Sequence, residues 1–359
     1  MINRERIINT FCELAKIDSI SGEESNISKE LIKRLSSIGI NSELDSYGNV
    51  VSKSKEENTI ILSAHMDTVQ PGKNIKPVVA SDIISSDGST ILGGDCKAGI
   101  TAILEGLTSI REDKSDPIGV EIIFTKEEEV GLYGAQNLNF KELKSKEAII
   151  FDGEGPVSRI TSASPTAIEF DIEITGKAAH AGVEPEKGIS AIRIAADLVT
   201  RLPQGRLDSE STFNIGRIYG GSVRNTVPET TILNGEFRSL NMETIDSINI
   251  ILEEKLKEIQ TLYPNALIKE NIKENFESYQ INNNESILLK VQNALSELGL
   301  EPELKPSGGG TDGNVFRKNG ITSIVVGMAT HNMHTLREYV TISDLVDAAH
   351  FCETILKNK

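Results

Sequence analysis

The chain has 359 residues, beyond the roughly 250 to 300 at which single hydrophobic cores stop growing, so two domains or a domain with a large insertion are expected. Its 37 basic against 53 acidic side chains give a formal net charge of −16, which repels phosphate backbones and anionic lipid, so neither nucleic acid nor a membrane surface is expected as a partner. Composition is that of an ordinary water-soluble globular protein, with 38% hydrophobic and 25% charged residues.

The opening "MINRERIINTFCELAKI" mixes charge with apolar residues at helical spacing and lacks the apolar run of a signal peptide or membrane span. Three scattered cysteines, Cys12, Cys96 and Cys352, make no disulfide framework and no C-x-x-C metal spacing. A cytoplasmic protein is expected. Two helices come first, Arg4 to about Lys16 and Asn26 to Ser37, the second with Ile27, Leu31, Ile32 and Leu35 in one stripe and Gly39 as its stop. Thr59 to Ser63, Val120 to Phe124 and Ala148 to Phe151 then read as strands buried on both faces, with the helical "AGITAILEGLTSI" between two of them.

Past Ser164 the pattern changes. "AIEFDIEITG" alternates strictly, placing Ile168, Phe170, Ile172 and Ile174 on one face of a half-wet strand. A helix (about Ile189 to Leu202), the strands "STFNIGRIYGG" and "TTILNGEFRSL", a long helix (about Glu243 to Leu262) and a strand near Leu267 to Ile272 follow. That order, β-α-β-β-α-β, is the order of a ferredoxin-like sandwich. From Asn282 the helix "ESILLKVQNALSELGL" and the buried-type strand "ITSIVVGM" return to the first pattern. The expected architecture is an α/β domain with a mixed sheet and helices on both faces, residues 1–163 and 277–359, interrupted by an α+β domain over 164–276.

Ligands of open α/β sheets bind beyond the carboxyl ends of the strands. Here "TIILSA" runs into His65 and Asp67, "GVEIIFT" into Glu127, Glu128 and Glu129, "AIIF" into Asp152 and "ITSIVVGM" into His331 and His334, while Asp95 stands before a helix in "LGGDCKAG". A lone H-x-D carries little; five segments aiming metal-type donors at one sheet edge carry much. Imidazole with carboxylate suits zinc, and a carboxylate between two histidine-bearing arms can bridge two ions about 3.5 to 4 Å apart, which makes Asp95 the candidate bridge. In an extended segment Asp67 points the same way as His65 and can fix its tautomer. Glu128 and Glu129 point apart, so that one can bind metal while the other takes a proton from water.

In order, "SAHMDTV", "LGGDCKAG", "FTKEEEVGLYGA", "FDGEG", "GKAAHAG", "SGGGTDGN" and "HNMHTLREY" resemble the di-zinc exopeptidase family of peptidase T, carboxypeptidase G, acetylornithine deacetylase and the aminoacylases, with the peptidase T branch nearest. The resemblance covers nearly the whole chain. It implies two zinc ions per subunit, replaceable by cobalt or manganese, one held by His65 and Asp152, the other by Glu129 and His334, with Asp95 between them. It makes Glu128 the general base, gives His180 of the inserted lid domain the tetrahedral oxyanion, and puts Asn225, Arg238 and the glycine loop with Gly309 and Gly310 on the substrate side. Homodimers through the lid occur among such proteins, and the implied substrate is a short peptide cut at its N-terminal bond.

The chain departs from the pattern in three places. Cys96 stands where the family's peptidase T branch carries a second aspartate, beside a peptide bond that relatives hold cis; the chain is shorter than peptidase T; and His331 stands near enough to His334 to compete as a ligand. His350 reads as structural. Three other functions fit parts of the pattern: an N-acyl amino-acid amidohydrolase or carboxypeptidase of the same chemistry, a metal-binding protein without catalysis, and a cysteine hydrolase built on Cys96, His65 and Asp67.

Overall fold

The computed structural model describes residues 1–115 and 117–358. The chain divides into two compact units, the first taking Met1–Ser162, Gln280–Pro306 and the chain from Thr311 onward, the second Ala163–Tyr279 and Ser307–Gly310.

In the first unit the sheet is mixed. Its centre is four parallel neighbours, in the order Gly119–Thr125, Thr59–His65, Glu147–Gly153 and Thr322–Gly327. Antiparallel strands flank them, Val50–Ser52 on one side and Arg159–Ser164 on the other. The central strands are buried along nearly their whole length, which is why they read as unbroken apolar runs instead of alternating ones. Helix Gly94–Asp113 packs against both the sheet and helix Ile342–Lys357, so it is buried from Gly94 to Leu107. Gly99 permits that approach: a Cβ there would stand 2.4 Å from the Phe151 carbonyl oxygen. Helix Arg4–Ala15 covers part of the same helix, with Asn3 accepting the Arg6 amide as its N-cap.

The second unit holds a five-stranded antiparallel sheet, ordered Gly205–Arg206, Ser211–Gly220, Thr230–Ser239, Thr166–Thr175 and Leu267–Phe276. Apart from the short edge piece, this is the neighbour order of a ferredoxin-like sandwich. Thr166–Thr175 alternates buried and exposed residues, and Ile168, Phe170, Ile172 and Ile174 face helices Ala191–Arg201 and Met242–Leu262. Phe170, Phe213 and Phe237 fill the middle, the last two stacked with centroids 5.8 Å apart. Ser190 and Asn241 cap the two helices.

Several short elements carry no legible periodicity in the sequence. They include the strands Val78–Ala80, Ile83–Ser85, Thr330–His331 and Tyr339–Thr341, which form a small separate sheet in the first unit. Among the described residues no helix is long and apolar enough to cross a membrane.

Candidate metal centre

Strand Thr59–His65 ends on His65, and the chain then turns out of the sheet, held by the Met66 amide on the Thr125 carbonyl at 2.7 Å and the Thr68 amide on the Ser19 carbonyl at 3.0 Å. His65 Nδ1 lies 2.9 Å from the backbone oxygen of Asp67. A carbonyl only accepts, so Nδ1 carries a proton and Nε2 is the nitrogen left to serve a metal. That nitrogen stands 3.0 Å from Asp95 Oδ1 and 3.5 Å from Asp152 Oδ1.

Asp95 precedes the regular part of its helix in an extended conformation, ψ 105°, and the Asp95–Cys96 peptide is cis. Its second oxygen, Oδ2, is 3.1 Å from His334 Nε2. His334 Nε2 in turn lies 3.0 Å from Glu129 Oε2. The donor atoms therefore form two groups, His65, Asp95, Cys96 and Asp152 in one and Asp95, Glu129 and His334 in the other, each within 4.8 Å, with Asp95 common to both. Such a nitrogen and carboxylate-oxygen set suits a divalent transition metal, and the shared carboxylate suits two.

Burial of so many acids in one place shifts their protonation. Desolvation pushes Asp152 up to about 6 and Glu129 up to about 7, with the charge of Asp95 adding to both. Glu128 is held well above the ordinary carboxylate range by burial and then by Asp152. Hydrogen bonds to Asp95 and Glu129 raise His334 to about 10. For His65, burial opposes charge, but Cys96, Asp152 and Asp67 together keep it well above its usual value. A dense knot of groups that prefer a shared proton or cation is the electrostatic signature of a metal pocket.

Asp67 differs from the sequence expectation. The backbone oxygen of Asp67, not its carboxylate, takes the short contact with His65; the carboxylate Oδ1 is 3.4 Å away. The reason is that the carboxylate is engaged elsewhere: it accepts the Ser21 hydroxyl at 2.7 Å, the Glu128 amide at 3.0 Å and the Glu129 amide at 3.2 Å. Asp67 thus pins the glutamate loop to the end of the histidine strand. The residue before that pair, Glu127, sits at φ 54° and His334 at φ 62°, left-handed conformations that non-glycine residues rarely adopt and that collect at functional sites.

His331 stays outside the cluster, stacked on Tyr339 with centroids 4.8 Å apart and 3.7 Å from Asp344. His350 stands 3.8 Å from Glu353 on its helix. In the second unit His180 is exposed, and its strand Ala179–His180 pairs with Thr226–Val227, beside Asn225, whose backbone oxygen accepts the Ala181 amide at 2.9 Å. Arg238 meets the glycine loop: Nη1 donates to Gly308 O at 3.1 Å, Ser164 Oγ donates to Gly309 O at 2.9 Å, and Gly310 packs on the Phe276 ring. The Nε and Nη2 edge of Arg238 is filled by Glu236, at 3.1 and 2.9 Å.

Two buried acids escaped the sequence reading. Asp312 is 1% exposed, takes the Thr125 hydroxyl on Oδ2, and among the described residues has no hydrogen bond on Oδ1; burial pushes it up to about 7. Glu338 lies four residues past His334, also 1% exposed. An acid two residues past a glycine run, and another inside "HTLREY", were the available signals.

The peptidase dimerisation domain of the M20 class matches residues 163–263, and peptidase family M28 matches residues 48–164. The chain is 33% identical to the uncharacterized protein YqjE of Bacillus subtilis strain 168, with 99% of each covered. It is similar in structure to a tripeptidase from Staphylococcus aureus subsp. aureus Mu50, at 34% identity and a TM-score of 0.91, covering 99% of this chain and 98% of that one. It is also similar to the aminopeptidase PepT from Bacillus cereus, at 33% identity, a TM-score of 0.86 and the same coverage. An α/β sheet that gathers histidines and acids at its strand ends, with such relatives, is that of a metallopeptidase. The chain belongs to the peptidase T-like family of these enzymes.

Proposed function

We propose that this protein is a di-zinc aminopeptidase that removes the N-terminal residue of short peptides, tripeptides among them. The observation that carries the reading is that the two oxygens of Asp95 face two histidines of different chain segments, His65 at 3.0 Å and His334 at 3.1 Å. His65 and Asp152 would hold one ion, Glu129 and His334 the other, with Asp95 shared. Two ions there would supply Lewis acidity for the scissile carbonyl, lower the pKa of the attacking water and offset the negative charge that raises Glu128.

The chain's own groups do the proton work. Glu128 takes a proton from water as its oxygen bonds to the carbonyl carbon, then gives that proton to the departing amine nitrogen as the C–N bond breaks. Its backbone is fixed for this by Asp67. His180 is assigned the tetrahedral oxyanion, with Asn225 beside it on the substrate side. Arg238, already forked on Glu236, shapes the loop of Gly309 and Gly310, and a substrate carboxylate reaches its guanidinium only by competing with Glu236. The match of residues 163–263 to a peptidase dimerisation domain supports a homodimer formed through the second unit. Buried free thiols at Cys96 and Cys352 fit a reducing cytoplasm.

The test is amino-acid release from a panel of di-, tri- and tetrapeptides and N-acyl amino acids, after chelation and after zinc, cobalt or manganese is added back. Metal-dependent cleavage of free-amine tripeptides is expected. Cleavage of blocked substrates alone would move the protein to the deacylases, and silence with two ions bound would remove catalysis from the reading.

A further inference from the structure

Among the described residues, the buried carboxylate of Glu338 bonds to the backbone amides of one segment. Oε2 accepts the backbone amides of Leu92 and Gly93, each at 2.8 Å, and Oε1 accepts the amide of Asp95 at 3.0 Å. The partners are 243 residues apart or more along the chain. Taking a carboxylate out of water is costly, and orphan amides at a helix start are ordinarily capped by a short side chain of the same loop. The distant glutamate adds something a local cap does not. It ties the segment that carries Asp95 to the segment that carries His334, so two of the three donors in the second group stand on loops joined by one side chain. The joined segments also have no slack: a Cβ on Gly94 would come within 2.8 Å of Val340 Cγ2, two residues past Glu338.

We propose that Glu338 is a positioning residue of the metal centre: by bonding the Leu92, Gly93 and Asp95 amides it sets the spacing between the shared carboxylate and His334, and so the affinity of the Asp95–Glu129–His334 group for its ion. This rests on the two-ion reading of the site. Outer partners of metal ligands typically govern affinity by about 10- to 100-fold.

Glu338→Gln is the sharp perturbation, because an amide has only one acceptor oxygen. Whichever way it turns, its NH2 meets either the Asp95 amide or the Leu92 and Gly93 amides, donor against donor. The chelated full-length protein is titrated with Co2+, following visible absorption and bound metal, alongside Glu338→Asp, which keeps the charge on a side chain one methylene shorter. Wild type should take two ions. In the glutamine variant the second ion should bind about 10- to 100-fold more weakly, the first should be affected less, KM for a peptide should stay put, and kcat should recover as Co2+ is raised. The aspartate variant should fall between the two, and it carries the same comparison should the glutamine variant not fold. Unchanged affinity for the second ion overturns the proposal. So does equal weakening of both ions with a lower melting temperature of the chelated protein, which would make Glu338 a general structural residue. Wild type binding fewer than two ions would instead overturn the two-ion reading itself.

Discussion

Asp67→Asn tests whether the pinned glutamate loop matters for turnover. The wild-type carboxylate accepts the Glu128 amide on Oδ1 and both the Glu129 amide and the Ser21 hydroxyl on Oδ2. Asparagine has the same size but one acceptor oxygen. The Ser21 hydroxyl can rotate to suit either end, whereas the two amides cannot, so one of them must lose its acceptor and face an NH2. A hydrogen bond to a charged group contributes about 1.5–3 kcal/mol, and each 1.36 kcal/mol of transition-state stabilisation is tenfold in rate. If the base is displaced by that much, kcat should fall by about 10- to 150-fold. Metal content must be measured with it, because the proposed ligands His65, Asp95, Asp152, Glu129 and His334 are all retained. The assay is steady-state cleavage of a tripeptide at saturating zinc, with bound zinc counted on the same sample. A kcat within twofold of wild type, or a loss that follows a missing ion instead of kcat, would refute the argument that Asp67 acts through the loop.

Three further outcomes are expected. Glu128→Ala should retain both ions and lose at least the 10²- to 10⁴-fold that positioned acid–base groups typically contribute, read from kcat with metal analysis; turnover near wild type would remove Glu128 as the base. Gly99→Ala puts a Cβ 2.4 Å from the Phe151 carbonyl, next to Asp152; such overpacking costs about 1–3 kcal/mol and should lower the melting temperature of the chelated protein by several degrees, and an unchanged melting curve would mean the strand gives way freely. Asp312 has its folded pKa raised to about 7 by burial, above the ordinary carboxylate value, so the protonated form is the one folding favours. Its contribution is fully present below the unfolded pKa near 4 and is lost as pH rises through about 7. Asp312→Asn should therefore flatten the fall in stability between pH 4 and 7 measured by denaturant unfolding of the chelated protein, and an unaltered slope would count against it.

The scaffold was legible because its strongest signals are periodic. Unbroken isoleucine-rich runs marked the parallel strands, strict alternation marked Thr166–Thr175, and the change between them marked a change of architecture. The candidate donors were legible for a different reason: His65 and Asp152 end apolar runs, and Glu129 and His334 stand a few residues past the ends of two more. What stayed hidden is what depends on a hydrogen bond and not on a pattern. Whether Asp67 reaches His65 with its carbonyl or its carboxylate is decided by a difference between 2.9 and 3.4 Å. Glu338 is a single acid in an irregular segment and Asp312 a single acid at the start of helix Asp312–Lys318, and nothing about a lone acid in a sequence says whether it faces water or buried polar groups. The two-residue strands are too short to show a period at all.

Cys96 shows how geometry separates chemistries that residue types leave open. Cysteine, histidine and aspartate in one neighbourhood suffice on paper for a thiol nucleophile with its base. A nucleophile has to be a thiolate in reach of substrate, and Cys96 is fully buried, donates its S–H to the Phe151 carbonyl at 2.6 Å, and is held well above the ordinary thiol pKa, burial first among the causes. The imidazole that would serve as its base already has Nδ1 on the Asp67 carbonyl and turns Nε2 to two carboxylates. That arrangement stores the cysteine as a thiol against a strand and turns Nε2 of His65 to acids, which is an arrangement for holding a cation and not for removing a proton from sulfur.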